Sequence, residues 1–199
     1  MDKPWLQSYP SGVPEYIDIN EFSSVADIFD TSIEKFADNP AYSNFGKTIT
    51  YRDLEVYSSH MGAYLKHELG LDKGERVAVM MPNLLQNPVC IFGILRAGLV
   101  VVNTNPLYTA RELKHQLNDS GAKAIIIVEN FAHVLEEVLQ DTAVEHVIIT
   151  RMGDMLSPLK GFIINAVVKH VKKMVPPFRI KGATSFKHAM KRGSQHHFE

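Results

Sequence analysis

Four short apolar stretches limit what this chain can fold into. They are residues 76–81 (RVAVMM), 99–102 (LVVV), 124–128 (AIIIV) and 147–150 (VIIT). None alternates apolar with polar residues. A strand with one wet face must alternate, so these strands are expected to be covered on both faces, as in a parallel sheet. Parallel neighbours need crossover connections, and helical patterns lie between the four stretches. The predicted fold is α/β: a three-layer sandwich around a mostly parallel sheet, with an N-terminal hairpin and a basic amphipathic C-terminal segment.

The intervening helices carry start and stop signals. Ser23-Ser24 open the first, with Asp27 three positions after Ser24 in a capping-box arrangement. Val25, Ile28, Phe29, Ile33 and Phe36 then recur at helical spacing, and Asp38-Asn39-Pro40 stops the run. Residues 41–45 and 48–50 read as a hairpin around Gly46-Lys47. Thr50 and Asp53 cap the next helix, whose apolar face is Leu54, Tyr57, Met61 and Leu65, with Gly70 at its stop. Residues 84–97 form a third helix, with Pro88 in its first turns where proline costs least. Thr109 and Glu112 make a further capping box ahead of Leu113 and Leu117, and Gly121 ends that helix. Residues 131–139 read as another helix.

The 199 residues suit one domain with an appendage. The expected division is a lead-in (1–22), an α/β unit (23–152) and a basic segment (153–199). The formal charge of −1 conceals an asymmetry. Residues 151–199 hold ten Lys and Arg against two Asp and Glu; residues 1–150 hold 11 against 20. A basic segment beside an acidic body points to an anionic partner. Residues 84–102 form the longest apolar run, but Gln86, Asn87, Pro88 and Arg96 interrupt it, so no membrane span is expected there. No apolar signal core follows Met1-Asp2-Lys3-Pro4. The expected compartment is the cytoplasm, where the Asn118-Asp119-Ser120 glycosylation pattern has no use.

In an open parallel sheet, ligands sit beyond the carboxyl ends of the strands. Those ends are Met81-Pro82-Asn83, Asn103-Thr104-Asn105, Glu129-Asn130 and Arg151. The favoured reading of the asparagines is local: they stop strands by bonding their own backbone. No G-x-G-x-x-G, Walker, G-x-S-x-G or H-E-x-x-H pattern occurs. Cys90, the single cysteine, reads as a small buried hydrophobe. His196-His197 read as part of a solvated tail rather than a metal site. No catalytic, cofactor-binding or metal-binding residue is assigned, and nothing points to nucleic acid.

Two stretches carry a family resemblance. "TITYRDLE" (48–55) resembles the first core motif of the adenylate-forming, AMP-binding enzymes. "LRAGLVVVNTNPLYTARELKHQLNDSGA" (95–122) resembles their second: an Ala-Gly turn, an apolar strand, a Pro-containing bend, and a helix leading to Asp-Ser-Gly-Ala. The wording from residue 80 to 122, continued by "HVIITRMGDMLS", is similar to bacterial long-chain fatty acyl-CoA synthetases. The resemblance implies activation of a long-chain fatty acid by Mg-ATP to an acyl-adenylate, followed by transfer to CoA. It implies that the remainder of the ligase chain is a partner. The family's phosphate loop, acidic motifs and catalytic lysine have no counterpart here, so the chain alone is expected to bind no cofactor and to be inactive. The alternative is a non-catalytic nucleotide-binding or membrane-docking module.

One segment stands apart. Residues 161–175 (GFIINAVVKHVKKMV), set on a helix, put Ile163, Ile164, Val167, Val168, Val171, Met174 and Val175 on one face and Asn165, Lys169, Lys172 and Lys173 on the other. Pro176-Pro177 ends it. Two readings follow: a helix lying in an anionic membrane interface, peripheral on the inner face of the membrane, or an ordinary helix packed on the domain. The candidate membrane contacts are Ile163, Ile164, Val167, Val168, Lys169, Val171, Lys172, Lys173 and Met174.

Overall fold

A computed structural model describes residues 2–198. Helix α1 (Val25–Phe36) is followed by the antiparallel hairpin β1 (Pro40–Asn44) and β2 (Lys47–Thr50) and by α2 (Tyr51–Ala63). Then come β3 (Arg76–Met80), α3 (Gln86–Arg96), β4 (Val100–Asn103), α4 (Ala110–Ser120), β5 (Ala124–Val128), α5 (Ala132–Val138) and β6 (His146–Thr150). Helix α6 (Pro158–Ala166), strand β7 (Thr184–Ser185) and helix α7 (Phe186–Gly193) close the order.

The five strands β3 to β7 form one parallel sheet in the order β4-β3-β5-β6-β7. The lack of alternation now has its cause. Successive residues of a strand point to opposite faces, and both faces are dry along β3 and β5, while the edge strand β4 is only partly covered. Val77, Val79 and Ile126 pack with Phe29, Leu54, Met61 and Ile94 of α1, α2 and α3. Ala78, Met80, Ile125 and Ile127 pack with Leu113, Leu117 and Leu135 of α4 and α5. The result is the expected three-layer sandwich.

The expected caps form at α2 and α4. Thr50 and Asp53 bond reciprocally, as do Thr109 and Glu112. At α1 the box is displaced. Ser24 Oγ accepts from Asp27 N at 3.1 Å, but the Asp27 carboxylate turns to Ser23, accepting from its N–H at 2.8 Å and its hydroxyl at 3.0 Å. Of the expected apolar face of α1, Phe29 and Ile33 are buried, whereas Val25, Ile28 and Phe36 are exposed. The hairpin turn lies one residue earlier than expected. Asn44 pairs with Lys47, so Phe45 and Gly46 form the loop, with φ of 48° and 69°. Two-residue hairpin loops need positive φ to match the twist of their strands, and here a Phe takes one of the two positions.

Residues 153–199 hold two elements that the sequence did not disclose. Strand β7 pairs Thr184 with Ile148 and Ser185 with Ile149. Two residues cannot show a pattern, so only pairing with β6 makes them a strand. Helix α7 buries Phe186, Ala189 and Gly193 on the α2 side of the sheet.

Candidate functional site

The sheet order reverses at β3: β4 lies on one side of it, β5 and the later strands on the other. The carboxyl ends of β3 to β7 are therefore where an open sheet of this type presents a crevice. The asparagines there play different parts. Asn105 Oδ1 accepts from Leu107 N at 3.0 Å, a local turn as expected. Asn130, 4% exposed, instead donates from Nδ2 to the Met174 carbonyl at 3.0 Å, tying the end of β5 to the segment after α6. Its Oδ1 is buried with no partner among the described atoms.

Beyond the ends of β5, β6 and β7 lies a cleft of about 610 Å³, bordered by Glu129, Arg151, Asp154, Phe162, Lys169 and Lys187 among others. It is built from the polar ends of apolar strands. Gln86, buried at the start of α3, donates from Nε2 to Thr150 Oγ1 at 3.1 Å and to the Arg151 carbonyl at 2.7 Å, which fixes the end of β6. Asp154 accepts from Arg151 N at 2.8 Å, and Lys187 Nζ stands 3.7 Å from its carboxylate. Glu129 is 5% exposed and pairs with Arg151 Nε at 3.3 Å. Burial pushes the Glu129 carboxyl above its ordinary range; Arg151 and Lys169 oppose the rise and Asp154 adds to it.

This predicts a pH effect. A carboxyl with a raised folded pKa costs stability as pH climbs above its unfolded value, because the native state holds the proton longer. Glu129→Gln should therefore raise the urea midpoint at about pH 7 and flatten the change between about pH 5 and about pH 7. The lost partner matters little, since the Arg151 side chain is 59% exposed and solvated. A midpoint at neutral pH lower than that of the unmodified chain refutes this account.

The cleft is lined largely by polar and charged side chains. Ser185 Oγ accepts from His188 N as the cap of α7, and no nucleophile–base pair lines the cleft among the described residues. Cys90 is buried and its thiol is pushed far up by desolvation, as expected of an inert hydrophobe. His196 is not part of a free tail: its Nε2 lies 2.5 Å from Glu68 Oε1, beside the Arg192–Glu68 pair. Those contacts hold the Glu68 carboxyl below the usual range.

Helix α6 borders the cleft. Pro158 sits at its first position, where its fixed φ suits a helix start. Gly153 and Gly161 let it approach closely: a Cβ on Gly161 would lie 2.4 Å from the Gly153 carbonyl oxygen. Asn165 Oδ1 accepts from Gly153 N at 2.8 Å. These contacts fix which side of the helix faces the body, a choice the two readings of the sequence left open. Asn165, of the polar face, is turned to the body, and Ile164 and Val168 are half-buried. Ile163, Val167, Val171 and Met174 are exposed. Lys169 borders the cleft, while Lys172 and Lys173 are exposed after the helix widens to a π turn at Val167–Val171. The sequence reading missed Leu159 and Phe162, which are 73% and 72% exposed. Pro158 at the helix start was the signal that would have included them. It also missed Asp154, which a local turn after β6 holds against Arg151 N, and Lys187, which the β6–β7 pairing brings to the cleft.

Residues 29–180 match the family described as AMP-binding enzyme. Over 193 residues, 97% of its length, the chain is 56% identical to a long-chain-fatty-acid–CoA ligase of Escherichia coli, of which it covers 34%. It is 51% identical over the same share to the ligase of that name from Haemophilus influenzae. The chain thus spans about a third of the length of these curated relatives. Among solved structures, an anthranilate CoA ligase with bound anthranoyl-AMP shares the fold at a TM-score of 0.68 and 19% identity, over 86% of this chain and 28% of that one. A long-chain-fatty-acid-CoA ligase from Archaeoglobus fulgidus gives 0.55 and 28% identity, over 62% and 26%.

Proposed function

Because the chain belongs to the AMP-binding enzyme family, we propose that it forms the N-terminal α/β region of a ligase that activates long-chain fatty acids with ATP and passes the acyl group to CoA. The identity of 51–56% to relatives of that name, sustained over 97% of the chain, carries this reading. Fatty acid, Mg-ATP and CoA are substrates of the whole enzyme. The described residues hold no group of three or more His, Cys, Asp or Glu able to grip a metal ion, so no step is assigned to magnesium here. Adenylation depends on preorganised groups around the phosphates, and no residue of this chain is assigned that role. Its part is architectural: a rigid sheet whose carboxyl ends offer a polar cleft to the rest of the enzyme.

The basic residues after β6 meet, on this reading, the anionic inner leaflet of the membrane, where fatty acids partition. The charge asymmetry supports it. No described helix is long and apolar enough to cross a membrane, so contact would be peripheral.

A chimera tests the ligase reading. This chain replaces the corresponding third of the Escherichia coli relative. Long-chain-fatty-acid-dependent ATP–pyrophosphate exchange and acyl-CoA formation are expected from the chimera and not from the chain alone. A folded chimera without either activity, or exchange by the isolated chain above a boiled control, would sink the proposal.

A further inference from the structure

We infer that the outward face of α6 and the turn after it, led by Leu159 and Phe162, is the surface that seats this chain on an anionic lipid bilayer. The inference rests on the membrane reading above and names its contact face.

Leu159, Phe162, Ile163, Val167, Val171 and Met174 are all between 38% and 73% exposed. Leu159, Phe162 and Ile163 share one side of α6, and Val167, Val171 and Met174 carry the exposed apolar surface on through the π turn and the chain after it. The side of the helix turned to the body is mixed: Gly161, Ile164 and Val168 lie there with Asn165, which bonds Gly153, so the larger part of the apolar surface is left outside. A row of large apolar side chains facing water is the mark of a surface that meets something apolar.

Charge selects the occupant. Lys172 and Lys173 follow the stripe and are exposed, and no carboxylate pairs with either among the described residues. Arg179 and Lys181, a few residues on, are exposed and unpaired in the same sense. Anionic headgroups around an apolar acyl boundary match both features at once. The 14 residues from 158 to 171 extend about 21 Å, so the helix lies along the surface and does not cross it.

The test is sedimentation of the chain with vesicles of phosphatidylcholine alone and of phosphatidylcholine with phosphatidylglycerol. Binding is expected to the anionic vesicles and should weaken with salt. Leu159→Ser with Phe162→Ser should weaken it about tenfold or more, since two large apolar groups no longer enter the lipid. Val168→Ala, on the half-buried side, should leave it unchanged. Both variants are first shown to melt cooperatively. If the unmodified chain ignores anionic vesicles, the membrane reading falls and the inference with it. If it binds, but the Leu159/Phe162 variant binds equally well, only the face is wrong. Self-association without lipid that the double variant abolishes would assign the stripe to a second copy instead.

Discussion

Gly193→Ala should lower stability by about 2 kcal/mol, although alanine is the better helix former. Gly193 is the last residue of α7, and a Cβ there would sit 1.8 Å from the His60 carbonyl oxygen of α2. Propensity favours alanine by about 1 kcal/mol. Overpacking against a backbone atom costs about 1–3 kcal/mol, at its upper end for Gly193 because no side-chain rotation relieves it. Either α7 shifts or it leaves the α2 surface, losing the burial of Phe186 and Ala189 and the Arg192–Glu68 pair. For a chain of this size the melting temperature should fall by roughly 4–8 °C. Hydrogen exchange should speed up most in α7. A melting temperature unchanged or raised would show that α7 does not pack as described.

Ile126→Ala should cost more, about 4 kcal/mol and roughly 8–16 °C. Ile126 is 0% exposed and lies between Val79 of β3 and Ile148 of β6 in the parallel register. Neighbours on both sides are held by strand pairing and cannot close the cavity. Val100→Ala on the edge strand β4, where the side chain is 45% exposed, should cost less than about 1 kcal/mol. Urea titration of the two variants measures the contrast. Equal losses would mean that β5 is not the central strand and β4 not an edge.

The fold was legible because its signals are local and redundant. Thr50 with Asp53 and Thr109 with Glu112 mark helix starts within four residues. Four unbroken apolar runs force strands covered on both sides. The candidate site was less legible. The strand-end rule indicated Glu129 and Arg151, but nothing local distinguishes a carboxylate that ends up 5% exposed from one in solvent. Asn130 reads like any turn asparagine until Met174, 44 residues on, accepts its N–H.

Helix 158–166 divides the two kinds of information most clearly. Periodicity alone established that this segment has an apolar and a polar side, because that follows from 3.6 residues per turn. It could not establish which side faces the body. Gly153 decides that, by letting Gly161 touch its backbone and by needing Asn165 Oδ1 for its N–H. A buried amide must find an acceptor, and the nearest one is on the helix's polar side. The sequence therefore determined the sheet, its layers and the amphipathic helix. Only the tertiary contacts turned that helix outward, made a strand of Thr184 and Ser185, and gathered Glu129, Arg151, Asp154 and Lys187 around one cleft, because each of those outcomes depends on atoms supplied by another element.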